Sequence, residues 1–156
     1  MAVLKYGLYL HGDRSNRRKV FGWTGPELQN QVFLVRGPYH MMSVFIRTLL
    51  TVKGEVIGRP EEGTDYYDLI RTGGGDAVEL QARLTDILDD AYQQTVAFQQ
   101  KSAQNGLVGA DELLASYSLT ELFTSTNGDV GRATVELTNQ AGESVSGLLP
   151  LSEFTR

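Results

Sequence analysis

The stretch Leu49–Tyr66, LLTVKGEVIGRPEEGTDY, gathers Glu55, Arg59, Glu61, Glu62 and Asp65 around Pro60, Gly54, Gly58 and Gly63. Two carboxyls facing each other across a sugar cleft, one of them raised in pKa by burial, are what glycoside hydrolysis requires. Glu55 with Asp65, or Glu61 with Glu62, are the pairs available. Glu61 and Glu62 are neighbours and point in different directions, and neither pair comes with a recognisable cleft. Loop carboxylates facing solvent or partners are the preferred reading, and no catalytic residue is assigned. The same residues can also work mechanically. Pro60 fixes its own φ and pushes Arg59 toward an extended conformation, while the glycines permit turns that other residues resist. Glu55 can pair with Arg59 or offer its carboxylate to an arginine on another protein. A rigid loop showing a carboxylate and a guanidinium suits bidentate contacts of strict geometry. The residues by themselves divide evenly between a loop that braces itself and one that grips a partner.

Other chemistries are poorly supplied. The 156-residue chain has no cysteine, which excludes disulfides, thiolate metal sites and thiol nucleophiles. Its two histidines, His11 and His40, are too few and too far apart for a metal motif, and neither sits near a nucleophile motif. No metal or cofactor is expected. Gly73–Gly75 precedes a helix but lacks the lysine and hydroxyl residue of a phosphate cradle, so it reads as a hinge. The net charge of −5 argues against binding nucleic acid through overall charge. Arg14, Arg17, Arg18 and Lys19 form a local basic loop, read as a docking arm for an acidic neighbour; a nucleic-acid adaptor is the alternative use. No apolar run is long enough to span a membrane, and the N-terminus lacks a cleavage-like site. The expectation is a soluble protein made and used on the cytoplasmic side, with no membrane partner.

The elements that must position these residues follow from periodicity. Composition is ordinary for one globular domain, with 41% hydrophobic and 21% charged residues. Val3–Leu10 and Gln31–Arg36 read as strands. Pro38 suits the first turn of a helix, and Met42, Phe45, Ile46, Leu49 and Leu50 share one face of a helix running to Val52 and stopped by Gly54. The Met41–Met42 pair reads as core. Thr64–Ile70 reads as a short helix with Thr64 as N-cap. Asp76 and Glu79 resemble a capping box for a long helix ending at Gln104–Gly106. Its core stripe is Leu80, Leu84, Ile87, Leu88, Ala91 and Thr95, extended by Phe98. The period then becomes two. Leu113, Ala115, Tyr117 and Leu119 share one face, Ala133, Val135 and Leu137 another, and Val145–Leu149 forms a third strand. The expected fold is a single α+β domain: N-terminal strands and basic loop over 1–37, a helical part over 38–108, and an antiparallel β-meander over 109–156.

An apolar helix ending in LLTVKGE, then an arginine and a proline, then EGT, a short helix, a glycine-rich gap and a long helix resembles the baseplate wedge proteins of contractile phage tails. These form the lysozyme-like tail family, whose members act as sheath initiators and which includes the matching subunit of type VI secretion baseplates. The resemblance runs from about Val44 to the C-terminus. It implies a structural component of a tail baseplate in the virion, assembled in the host cytoplasm, with other wedge proteins, the tail sheath protein and tube or hub proteins as partners. The family's glutamate, arginine and proline fall on Glu55, Arg59 and Pro60, which the resemblance implies hold the wedge core bundle. Where the family has an aromatic before the glycine at position 63, this chain has Glu62. The C-terminal strands would offer an edge, through Val145, Gly147 and Leu149, for sheath subunits to extend by strand addition. The competing class is a small cell-wall hydrolase using Glu55 and Asp65.

Overall fold

The computed structural model describes residues 37–72, 77–106, 108–124 and 130–151. The expected strands Val3–Leu10 and Gln31–Arg36, the basic loop with Arg14, Arg17, Arg18 and Lys19, the Gly73–Gly75 tract, the Asp76 cap and the tail beyond Leu151 lie outside them. Helices come first: α1 Pro38–Leu50, α2 Tyr66–Thr72 and α3 Ala77–Gln104. Strands β1 Leu114–Thr124, β2 Val130–Asn139 and β3 Ser144–Pro150 follow as an antiparallel meander in the order β1-β2-β3. The fold is a single α+β domain.

α1 starts where the proline predicts. Pro38 occupies the first turn, and the Gly37 carbonyl accepts from the N–H groups of His40 at 3.0 Å and Met41 at 3.1 Å. Met41, Met42, Val44, Phe45, Ile46 and Leu49 are buried, so the helix is covered around most of its circumference. It packs on β2, β3, α2 and α3. The helix stops at Leu50, before Val52 and well before Gly54. Thr51 has turned to an extended conformation, and Val52 instead forms a parallel bridge with Thr64.

α3 buries Leu80, Leu84, Leu88, Ala91, Thr95 and Gln99, while Ile87 is half-buried against the core. The stripe steps by four from Thr95 to Gln99. Phe98, expected to extend it, lies a residue off the stripe, is 45% exposed and carries the Arg47 guanidinium 5.6 Å from its ring centroid.

The face of β1 differs from simple alternation. Leu114 is buried and Ala115 exposed, the reverse of the expected pattern. Two register shifts explain this. Leu114 pairs with Asn139 but Ser116 with Thr138, and Leu119 pairs with Val135 but Glu121 with Thr134. Ala115 and Thr120 are therefore extra residues, and each flips the alternation that follows. The bulges put Leu114, Tyr117, Leu119 and Leu122 together against the core. On β2, Ala133, Val135 and Leu137 are buried as expected; on β3, Val145, Gly147 and Leu149, expected at a partner-binding edge, are buried too.

Candidate functional site

The acidic stretch forms the connection from α1 to α2, and it is built as three successive turns. The carbonyl of Val52 accepts from Glu55 N–H at 3.2 Å, that of Val56 from Arg59 at 3.0 Å, and that of Arg59 from Glu62 at 3.1 Å. Gly54 at φ 88° and Gly58 at φ 81° hold the third positions of the first two turns, where a positive φ is needed. Pro60 holds the second position of the last, where its fixed φ fits. Glu55, Ile57, Arg59, Pro60 and Glu61 are all exposed, and Ile57, in the middle turn, is 100% exposed.

The base of the loop is closed by backbone and held by α3. Thr64 N–H donates to the Thr51 carbonyl at 2.8 Å, and the Thr64 hydroxyl donates to Leu49 at 2.6 Å. The same hydroxyl oxygen accepts from Tyr66 N–H at 3.3 Å. Thr64 thus does satisfy a first-turn donor of α2, but from one residue further out than an N-cap; the Asp65 carbonyl takes the first helical bond, from Leu69. α2 accordingly begins at Tyr66, two residues later than expected. The Gln94 side chain grips Gly63 at both ends: its oxygen accepts from Gly63 N–H and its amide donates to the Gly63 carbonyl, each at 2.9 Å. Gly63 sits at φ 97°, and a Cβ there would lie 2.8 Å from the Val52 carbonyl carbon and 2.9 Å from Lys53 N. Asp90, Gln94 and Phe98 lie four apart on one face of α3 and meet Lys53, Gly63 and Arg47 in turn.

Of the two uses open to Glu55, the pairing with Arg59 does not form. Arg59 is bound to Glu62 at 2.6 Å, across the turn that Pro60 shapes. Three residues apart on a tight turn, these two side chains reach each other easily, whereas the turn before Arg59 carries Glu55 away. Glu55 has no side-chain partner among the described residues. Glu62, standing where the resembling family has an aromatic, serves as the brace for Arg59. The buried aromatic nearby is Tyr66, whose hydroxyl donates to the Pro150 carbonyl and so ties α2 to the end of β3.

The sheet edge needs a second correction. Val145, Gly147 and Leu149 face the core, and a Cβ on Gly147 would lie 3.0 Å from the Met42 methyl. Their backbone N–H groups are committed as well. The β2–β3 hairpin closes with Asn139 N–H on the Glu143 carbonyl at 2.9 Å, and the sheet ends with Leu151 N–H on Gly131 at 3.1 Å. With Leu137 opposite Val145 and Val135 opposite Gly147, the odd-numbered residues of β3 bond inward to β2. The outward groups belong to Ser144, Ser146, Leu148 and Pro150, and the last has no N–H. At the opposite edge, α3 holds the start of β1: Gln99 accepts from Leu114 N–H and donates to the Glu112 carbonyl, each at 2.8 Å, and Tyr92 donates to the Ala115 carbonyl at 2.9 Å.

Sequence reasoning passed over Gln94 and Gln99. Gln99 was legible from spacing, since it continues the 80-84-88-91-95 stripe. Gln94 was not, because its partner is a backbone glycine brought near only by folding. His40, set aside as a ligand, places Nδ1 3.6 Å from the Glu112 carboxylate, whose other oxygen accepts from Gly37 N–H at 3.2 Å. Among the described residues, no group of three or more acidic or histidine side chains is placed to hold a metal, and no helix is long and apolar enough to cross a membrane. Glu55 and Asp65 are both exposed. On the far side of α3, the Tyr117 hydroxyl donates to Asp89. Burial first, and then that bond and the charges of Asp89 and Asp86, push the phenol pKa well above its ordinary value of 10.0.

Comparison with protein-family models, with curated proteins and with solved structures finds no match to this chain.

Proposed function

We propose that this chain is a structural component of a contractile-tail baseplate, gripping neighbouring wedge proteins through the 51–64 loop and starting sheath assembly from the free edge of β3. One observation carries the reading. A polar loop is stiffened by three consecutive turns, closed by the Thr64 bonds and clamped by Gln94, yet Glu55, Ile57 and Glu61 on its outer side are exposed, and neither carboxylate has a partner among the described residues. Such rigidity lowers the ordering cost of binding and suits a protein contact. The exposed setting of Glu55 and Asp65 supports this reading over hydrolysis, which needs one carboxyl in apolar surroundings. The uncharged run Ser144–Leu151, along an edge unpaired among the described residues, supports strand addition, since edges not meant to pair are ordinarily guarded by charge.

The test is incorporation into particles. Glu55→Ala and Arg59→Ala should leave the isolated domain folded, with circular dichroism unchanged, and should abolish its presence in purified baseplates. Normal incorporation of both variants would remove the gripping role. A zymogram on peptidoglycan tests the competing class: clearing by the wild type that is lost in Glu55→Gln would replace assembly with hydrolysis.

A further inference from the structure

We infer that the apex of the 51–64 loop is an aliphatic plug: Ile57 enters an apolar socket on another protein, and Glu55 and Glu61 pair with lysine or arginine on the rim of that socket. The inference rests on the assembly reading above and names the chemistry of the partner surface. A single exposed isoleucine is ordinary on a protein surface. Two features set Ile57 apart.

The first is mechanical. Ile57 is 100% exposed at the second position of the middle turn, with Gly54 and Gly58 fixing the chain on either side. The base beneath it is held by the Val52–Thr64 bridge and the two Gln94 bonds. An apolar side chain carried on a pre-ordered support loses little freedom on docking, which is the property of a binding anchor.

The second is electrostatic. The cations of the loop are already neutralised: Arg59 by Glu62 at 2.6 Å and Lys53 by Asp90 at 3.4 Å. The carboxylates of Glu55 and Glu61 are exposed and have no partner among the described residues. An aliphatic centre with uncompensated negative charge on both sides is complementary to an apolar socket with a cationic rim. The same charges repel an anionic lipid surface and nucleic acid, which leaves a protein as the occupant.

The probe is the wedge-and-tube fraction purified from cells lacking this gene, titrated with purified chain. Ile57→Ser should bind about tenfold to a hundredfold more weakly than wild type, the range expected for losing one buried aliphatic side chain. Ile57→Val should stay within about tenfold. The double variant Glu55→Gln/Glu61→Gln should bind more weakly and show a flatter dependence on salt. These side chains are exposed, and the two carboxylates have no partner among the described residues, so unchanged melting is the accompanying control. Binding of Ile57→Ser at wild-type strength overturns the plug, and tighter binding of the double variant overturns the cationic rim. Wild-type chain that fails to bind the fraction at all overturns the assembly reading and this inference with it.

Discussion

Gly63 shows how much one residue can fix. Its φ of 97° and the closeness of Val52 and Lys53 leave no room for a side chain. Gly63→Ala should therefore cost at least about 1 kcal/mol, because alanine is strained at positive φ and the backbone of Lys53 would also have to move. Urea unfolding measures this, and a smaller loss would mean that the loop base relaxes freely. Tyr117 makes a prediction in pH. Burial and Asp89 raise its phenol above 10.0 in the folded chain, so the folded state holds this proton more tightly than the unfolded one. The stabilisation is complete below the ordinary value near 10.0 and is lost as pH rises from there toward the higher folded value. Wild type should thus lose stability faster than Tyr117→Phe above about pH 10, as read from melting temperatures across that range.

α3 braces the 51–64 loop through Gln94 and the start of β1 through Gln99. One of its faces is core, and Leu84 within it is fully buried. Leu84→Ala should cost about 2–5 kcal/mol, whereas Phe98→Ala, removing a half-exposed ring under Arg47, should cost about 1 kcal/mol or less. Equal losses would mean that the stripe has been assigned to the wrong face. Two amide side chains serve as backbone braces, Gln94 on the face toward the loop and Gln99 at the end of the core stripe, where it holds the start of β1. Gln94→Leu should leave both polar groups of Gly63 without a partner, costing about 1–3 kcal/mol. Hydrogen exchange should localise the effect, with faster exchange at Gly63 and little change within α1.

At the scale of the fold, helices pack on one face of the sheet, and among the described residues nothing covers the other. The outer face carries Thr134, Glu136 and Thr138, all half-exposed, and β3 is an end strand among the described residues. The alternation of inward and outward bonding separates two tests that look alike on paper. Val145→Pro removes a donor to β2 and should destabilise the isolated domain by about 1–3 kcal/mol. Leu148→Pro removes only an outward donor and should leave the fold intact while reducing sheathed tails relative to Leu148→Thr. Tails that sheathe equally well with proline at position 148 would rule out strand addition along this edge.

Local patterns determined much of this protein. Pro38, the apolar faces of α1 and α3, and the alternation of Ala133, Val135 and Leu137 follow from backbone sterics and burial, which act over a few residues and are written in the spacing. The turn-forming character of GEVIGRPEEG was legible for the same reason. The rest depended on contacts between residues far apart in the chain. Arg59 chose Glu62 over Glu55 because the turns set their distances, and Gln94 acquired a role because folding delivered Gly63 to it. The bulge at Ala115 turned Leu114 rather than Ala115 toward the core, while Tyr117 and Leu119 kept the facing their alternation implied, because register is decided by the partner strand. Which β3 amides point away from β2 was decided by the hairpin at Asn139–Glu143, whose closing bond fixes the direction of every amide after it.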